Sequence, residues 1–490
     1  NLLNNKTNLK MVKMHHIFGF FYRRLDKIFA ITQNVANEWV DCFGLDKSKI
    51  SVFKNFIEKP NAVPIFSNSM QRFVVCGRFV IEKNIEETQA IVLLSGLPTL
   101  GTKDSIAIIE MDPESSNFGD ILYDYPLPSF DAPLHHLYYS PNGRLYATGL
   151  GTECSLAEIG LVRNAKAEPT ISKIDCIDTQ GQSVGEDIMW HTVDGKSYMF
   201  VTFMGGTDLS HTDAGSVGVF DPQSNKLVKI IEARKSQVDE GQPYIMYPHG
   251  ISAYGDRMVV TSTVHPNLTD GVGNTITVID LNTFEPIENI TTEDAKPTGF
   301  PSSPVEVLFV RPSIVEGVEP AVLVNTMFGF ETWKIPYNEE TKAFGTPEKL
   351  YDGATSGTGV PLEFYGNEDE LFISHGVPGV VKRYDLKQLP NLVSSGSDII
   401  AEAGAHHMIF YKTASGRKLI AVQNNLLNLG NATDNDPTDV DFIAKLNHHS
   451  LTVHDLDTGE RLAEINFKEK YKKGIDNIDA LFGSGFTHHH

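Results

Sequence analysis

Neutral imidazole is the protein ligand that most often binds copper, iron, zinc and nickel. This chain places imidazoles and carboxylates at a regular interval. His136, His191, His249, Glu306, Glu363 and His407 each open a short apolar hairpin, and their successive separations are 55, 58, 57, 57 and 44 residues. Four histidines with two glutamates suit one chemistry. The rings would ligate a metal, and the carboxylates would accept ring N–H groups or take up protons. His135 precedes His136 and His406 precedes His407, and which member of each pair faces the site is open. Four neutral ligands leave a metal's charge intact, and an open coordination position would admit substrate or dioxygen.

Residues at equal spacing meet only if the fold is itself periodic. From about residue 89 the chain is short strands punctuated by Gly, Asn, Asp and Pro. Two kinds of hairpin alternate. One is apolar with a tight turn, as in "HLYYSPNGRLYATGL" and "EFYGNEDELFISHG". The other is amphipathic, as in "SVGVFDPQSNKLVKII" and "SLTVHDLDTGERLAEI". A repeat of about 45–60 residues built this way is the pattern of a β-propeller blade. Six inner hairpins plus the strand "AIVLL" (90–94) favour seven blades, with six or eight also compatible. The innermost strand of each blade lines the central channel, so residues at equal phase would converge on the axis. His375 would then end an inner hairpin at the opposite mouth. His448, His449 and His454 read as surface residues, and His211 and His265 as loop residues.

The first 88 residues differ. "LDKIFAITQNVANEWVDCFGLDKSKISVFKN" (25–55) predicts strand, helix and strand, with Val35, Trp39, Val40 and Phe43 at helical spacing and Gly44 at the stop. "KISVFKNFIE" and "VVCGRFVIEKN" resemble the C-terminal half of a GT-B glycosyltransferase of the glycogen-synthase-like class. The resemblance implies that Arg78 and Lys83 would hold a nucleotide-sugar diphosphate. The expected fold is therefore mainly β: a seven-bladed propeller over 89–470, preceded by a small α/β, partial Rossmann-like segment over 1–88. Residues 471–490 read as a tail ending in His488, His489 and His490.

Composition narrows the partners. The net charge is −21, which argues against nucleic acid. No apolar run is long enough to predict a membrane span. Cys42, Cys76, Cys154 and Cys176 are scattered without a C-x-x-C, and read as buried thiols. Sequons at Asn267, Asn289 and Asn431 tilt the expected compartment toward extracellular or periplasmic rather than cytoplasmic. No G-x-S-x-G, H-E-x-x-H or Walker loop competes with the histidines.

"GTKDSIAIIEMDPESSNFGDILYDYPLPSFDAPLHH" (101–136) resembles the start of the selenium-binding protein family, which includes the methanethiol oxidases. Similarity continues more weakly through "MWHTVDGKSYMF", "PVEVLFV" and "SGRKLIAVQNNLL", to about residue 466. The resemblance implies a seven-bladed propeller with a histidine-bound metal, copper in the methanethiol oxidases, and matches His135, His136, His191 and Glu306 to family positions. The family's cysteine-bearing segment is replaced by "LYYSPNGRLYATGL", which has no thiol to carry selenium. A family histidine falls in "GQSVGED" and is absent. The expected function is a metal-dependent oxidase acting on a small molecule, a thiol being one candidate. Copper is the expected ion, with iron or another divalent metal as alternatives. A non-catalytic propeller that binds a ligand or a protein, and a glycosyltransferase-related fusion, are the competing readings.

Overall fold

The computed structural model describes residues 88–481 except 98–100, 129, 131–132, 165–167, 209, 211–214, 233–246, 267–270, 293–300, 368, 414 and 427–447, together with the backbone of 28–30, 50–52 and 488–489. The chain divides into two compact units, Asn1–Phe79 and Val80–His490. In the first, the strands Ile28–Ala30 and Ile50–Val52 pair in parallel, and the helix expected between them lies outside the described residues. Arg78 and Lys83 lie outside the described residues.

The second unit is a propeller of seven antiparallel sheets. The inner strands of blades 2 to 7 are Leu134–Tyr139, Ser183–Val193, Pro248–Tyr254, Pro304–Val310, Gly359–Gly366 and Ala405–Lys412. Blade 1 takes its inner strand from the other end of the chain. Lys473–Ala480 pairs with Gln89–Gly96, so residues expected in a tail instead close the ring. The correction has a physical reason: "AIVLL" needs an inner neighbour, and closure pairs a strand edge that would otherwise be open. The backbone of His488–His489 also pairs, with Tyr365 and Gly366 of blade 6.

Strand alternation builds the core. Successive residues point to opposite faces, and each face of a blade packs on a different neighbour. In Gln89–Gly96, Ala90, Val92 and Leu94 pack toward blade 7, whereas Ile91 and Leu93 pack toward blade 2. Apolar clusters of this kind lie between all seven neighbouring pairs of blades.

Two of the four cysteines, expected as buried thiols, are joined instead. Cys154 and Cys176 form a disulfide with Cα atoms 5.5 Å apart. Cys154 leads into the third strand of blade 2 and Cys176 ends the fourth, and Ala157 opposite Cys176 sets the register that brings them together. Sequence spacing carries no trace of that register. His454, expected at the surface, is buried because "SLTVHD" is a third strand enclosed by its neighbours, and His449, just before that strand, is buried as well.

Candidate metal centre

Every inner strand carries a β-bulge at the same level. In blade 2, Leu134 pairs with Gly149 and Leu137 with Ala147, which leaves His135 and His136 between them without a cross-strand partner. The same shift isolates Glu186 and Asp187, His249 and Gly250, Val305 and Glu306, Leu362 and Glu363, and His406 and His407. In blade 1 it isolates Asp476. A bulge bends the strand and re-aims its side chains. This accounts for adjacent histidines in a strand: both belong to the bulge, not to the ladder.

Two devices hold the bulges. The residue two positions before the bulge takes a left-handed conformation in five blades: Val184 (φ 56°), Tyr247 (51°), Ser303 (53°), Val360 (56°) and Gly404 (88°). For a β-branched valine that conformation costs about 1–2 kcal/mol, so the surrounding packing must over-determine it. The second device satisfies the stranded backbone. Thr202 Oγ1 accepts the Asp187 N–H at 2.9 Å and donates to the His249 carbonyl of the next blade at 2.7 Å. Thr261 likewise accepts from Gly250 at 2.8 Å and donates to the Val305 carbonyl at 2.7 Å. Thr148 donates to the Glu186 carbonyl at 2.7 Å, and Gln423 accepts the His407 N–H at 3.1 Å. The bulged backbone therefore keeps its hydrogen bonds while its side chains converge.

The donor atoms of His136, Glu363, His406 and His407 all lie within 4.8 Å of one another, as do those of His135, His136 and Glu186. The His406 and His407 rings stack at 3.8 Å, and the His136 ring meets His407 edge-on at 4.7 Å. His406 Nε2 lies 2.9 Å from Glu363 Oε1, and His249 Nδ1 lies 2.8 Å from Glu306 Oε1. His249 Nε2 is 3.6 Å from Glu186 Oε2. His136 Nδ1 bonds the Tyr138 hydroxyl at 3.0 Å, and Asp187 hydrogen-bonds the same tyrosine. Tyr365 approaches His407 Nδ1 at 3.4 Å.

The electrostatics favour neutral rings at His135 and His136. Burial, reinforced by His406 and His249, pushes His135 down to about 3. Burial and the neighbouring His135 and His407 push His136 well below the usual histidine range. Burial raises Glu186 to about 7, against the opposing pull of His249. Tyr138 and Tyr365 are pushed far up by burial, and remain protonated hydroxyls. Neutral imidazole is the ligating form. The residues fit a metal on one further ground: His136 Nε2 is fully buried and has no hydrogen-bond partner among the described residues, although its other nitrogen is bonded.

Of the positions expected at the axis, His135, His136, His249, Glu306, Glu363 and His407 are brought together, and His406 joins them. His191 is not. It sits at the far end of the long strand Ser183–Val193, and its Nε2 bonds the Gly255 carbonyl at 2.7 Å. The visible hairpin "HTVDGKSYMF" marks the turn end of that strand, whereas the bulge lies five residues earlier. Glu186, inside "GQSVGED", takes the axial place in blade 3. Glu186, Asp187, Tyr138 and Asp476 were missed. For Glu186 and Asp187 the signal is a polar pair immediately before an apolar run, "GED-IMW", as in "LHH-LYY" and "AHH-MIF"; Tyr138 and Asp476 carry no such mark.

The same strands leave a cavity of about 600 Å³ on the C-terminal side of the bulges, lined by His136, Tyr138, Tyr365 and His407 at its base. A pocket of that size suits a small molecule.

The fold is shared with known structures. The chain is similar to a hypothetical selenium-binding protein from Sulfolobus tokodaii, at 16% identity and a TM-score of 0.53, covering 83% of this chain and 92% of that one. It also matches a proposed 6-phosphogluconolactonase from Bacteroides uniformis at 10% identity and a TM-score of 0.46, covering 80% and 99%. At such identities the likeness is one of fold. No family model and no curated protein matches the chain. The glycosyltransferase resemblance of residues 1–88 gains no support from these comparisons.

Proposed function

We propose that the propeller holds a transition metal on His136, His406, His407 and Glu363, and that the protein oxidises a small molecule in the adjoining cavity. The convergence of bulge histidines with buried carboxylates around an unpartnered ring nitrogen carries this reading. Imidazole with one carboxylate suits copper, iron or zinc rather than calcium or magnesium. Copper is the proposed ion and iron the alternative. When bound, such an ion would supply Lewis acidity and one-electron chemistry. The chain's own groups do the rest. Tyr138 orients His136, and Glu306 orients His249. Glu186, held near neutral pH by burial, can carry a proton beside His249 and His135.

The Cys154–Cys176 disulfide supports an oxidising compartment, extracellular or periplasmic. Among the described residues no helix is long and apolar enough to cross a membrane.

The test is metal content by mass spectrometry on the full chain, in a background with His488, His489 and His490 changed to alanine. About one copper or iron per chain, lost in His136→Ala, supports the proposal. No bound metal after reconstitution would leave the non-catalytic binding propeller, whose His406–Glu363 pair is hydrogen-bonded without an ion.

A further inference from the structure

Glu186 faces two imidazoles across gaps that no hydrogen bond spans. Its Oε2 lies 3.6 Å from His249 Nε2 and 3.9 Å from His135 Nε2. A ring N–H donating to a carboxylate would stand at about 2.7–3.2 Å. The carboxylate oxygen is fully buried and has no hydrogen-bond partner among the described residues, and the same holds for His135 Nδ1. A carboxylate oxygen left unsatisfied at this depth is costly, and it marks a place where something else binds.

The gaps match the size of an ion. Two donors each about 2.1 Å from one cation stand about 3.4 Å apart at the tetrahedral angle, and up to about 4.2 Å as that angle opens. Both gaps fall in this range. The donors also meet lone pair to lone pair. His249 Nδ1 lies 2.8 Å from Glu306 Oε1, and the carboxylate's charge favours the tautomer with its proton on that nitrogen. His249 Nε2 and Glu186 Oε2 are then two acceptors face to face, a repulsion that only a cation or a proton between them relieves.

These donors are not those of the centre proposed above, which takes His136, His406, His407 and Glu363. His136 belongs to both groups of converging donors, but its Nδ1 is held by Tyr138, and the remaining Nε2 serves one ion only. Glu186 and His135 belong to the second group alone. The bulge of blade 2 thus offers His136 to one ion and His135 to another.

We infer that the axis holds a second divalent cation of the first transition row, bound by Glu186, His135 and His249. The inference deepens the metal reading above, and it shares no ligand with the first ion. Two imidazoles with one carboxylate leave coordination positions open, as in sites for Fe(II) and Zn(II). Three protein donors against four make this the weaker site, filled after the first. In the metal-free chain Glu186 can hold a proton in the gap, and the ion takes its place.

The probe is zinc(II), titrated into the metal-free full-length protein with His488, His489 and His490 changed to alanine, and the bound ions are counted by native mass spectrometry. The parent is expected to bind two. Glu186→Gln, which keeps the shape of the side chain, should bind one at zinc concentrations that give the parent two. His135→Gln removes the site independently and should do the same. His406→Ala should also bind one, and its combination with Glu186→Gln none, with thermal midpoints of the metal-free variants reporting that each is folded. A parent with one ion, lost in His406→Ala and kept in Glu186→Gln, overturns this inference and leaves the first centre standing. One ion kept in His406→Ala and lost in Glu186→Gln overturns the first centre and supports this one. A single ion lost in both variants, two ions untouched by Glu186→Gln and His135→Gln, or no bound zinc at all overturns the second site.

Discussion

Thr202 reaches across the seam between blades 3 and 4 to donate its hydroxyl to the main-chain carbonyl of His249 at 2.7 Å. The same oxygen accepts the Asp187 amide at 2.9 Å, so one buried hydroxyl serves two bulges. Thr202→Val keeps the shape and removes both bonds. The expected loss is about 1–3 kcal/mol, because a buried amide and a buried carbonyl are left without partners. Chemical denaturation measures it, and an unchanged midpoint would mean the bulges do not depend on these hydroxyls.

The metal proposal distinguishes histidines that look alike in sequence. His191→Ala should bind metal like the parent, since His191 is tied to Gly255 away from the cluster. Tyr138→Phe and Glu306→Gln should weaken metal binding about 10–100-fold, because each removes the group that orients a ring. Competition with a chelator reads all three, and a loss of metal in His191→Ala would count against the geometry described.

The disulfide closes a loop with a sequence separation of 22 residues. In the chain-entropy account a loop of that length stabilises by about 3 kcal/mol. Cys154→Ser with Cys176→Ser should therefore unfold at a lower denaturant concentration, and reductant should shift the parent toward the double variant. Identical midpoints with and without reductant would show that the bond contributes nothing.

Acid sensitivity follows from His375. It is buried in the second strand of blade 6, with neither ring nitrogen hydrogen-bonded among the described residues, and burial lowers it to about 3. The native ring stays neutral while the unfolded ring protonates near 6.5, so stability is full above that pH and declines as pH falls toward about 3. Each such group contributes a slope of at most about 1.4 kcal/mol per pH unit in that window. His375→Leu should flatten this limb in denaturant titrations across about pH 4 to 7. An unaltered slope would reassign the acid sensitivity, with His454, lowered to about 4 by burial, the next group to test.

Much of the fold was legible because strand alternation and turn residues are local properties. "SPNGR" marks a turn and "TITVID" a strand with two unlike faces wherever they occur, and counting such units led to seven blades. His136, His249, Glu306, Glu363 and His407 were found because closure of a ring places equivalent strands around one axis, so sequence interval maps onto spatial phase.

What the chain alone could not show is where along each inner strand the axis is met. That level is set by a bulge, which arises from a register shift between two strands and from a left-handed residue such as Val360 or Ser303, neither visible in a run of residue types. Hence His191, at the turn end of its strand, was mistaken for an axial residue and Glu186 was passed over. The Cys154–Cys176 bond and the closing strand Lys473–Ala480 belong to the same class. Composition, periodicity and blade count are written in nearest-neighbour chemistry. Register, closure and the meeting of Glu363 with His406 depend on strands distant in sequence, and only packing of the whole ring selects them.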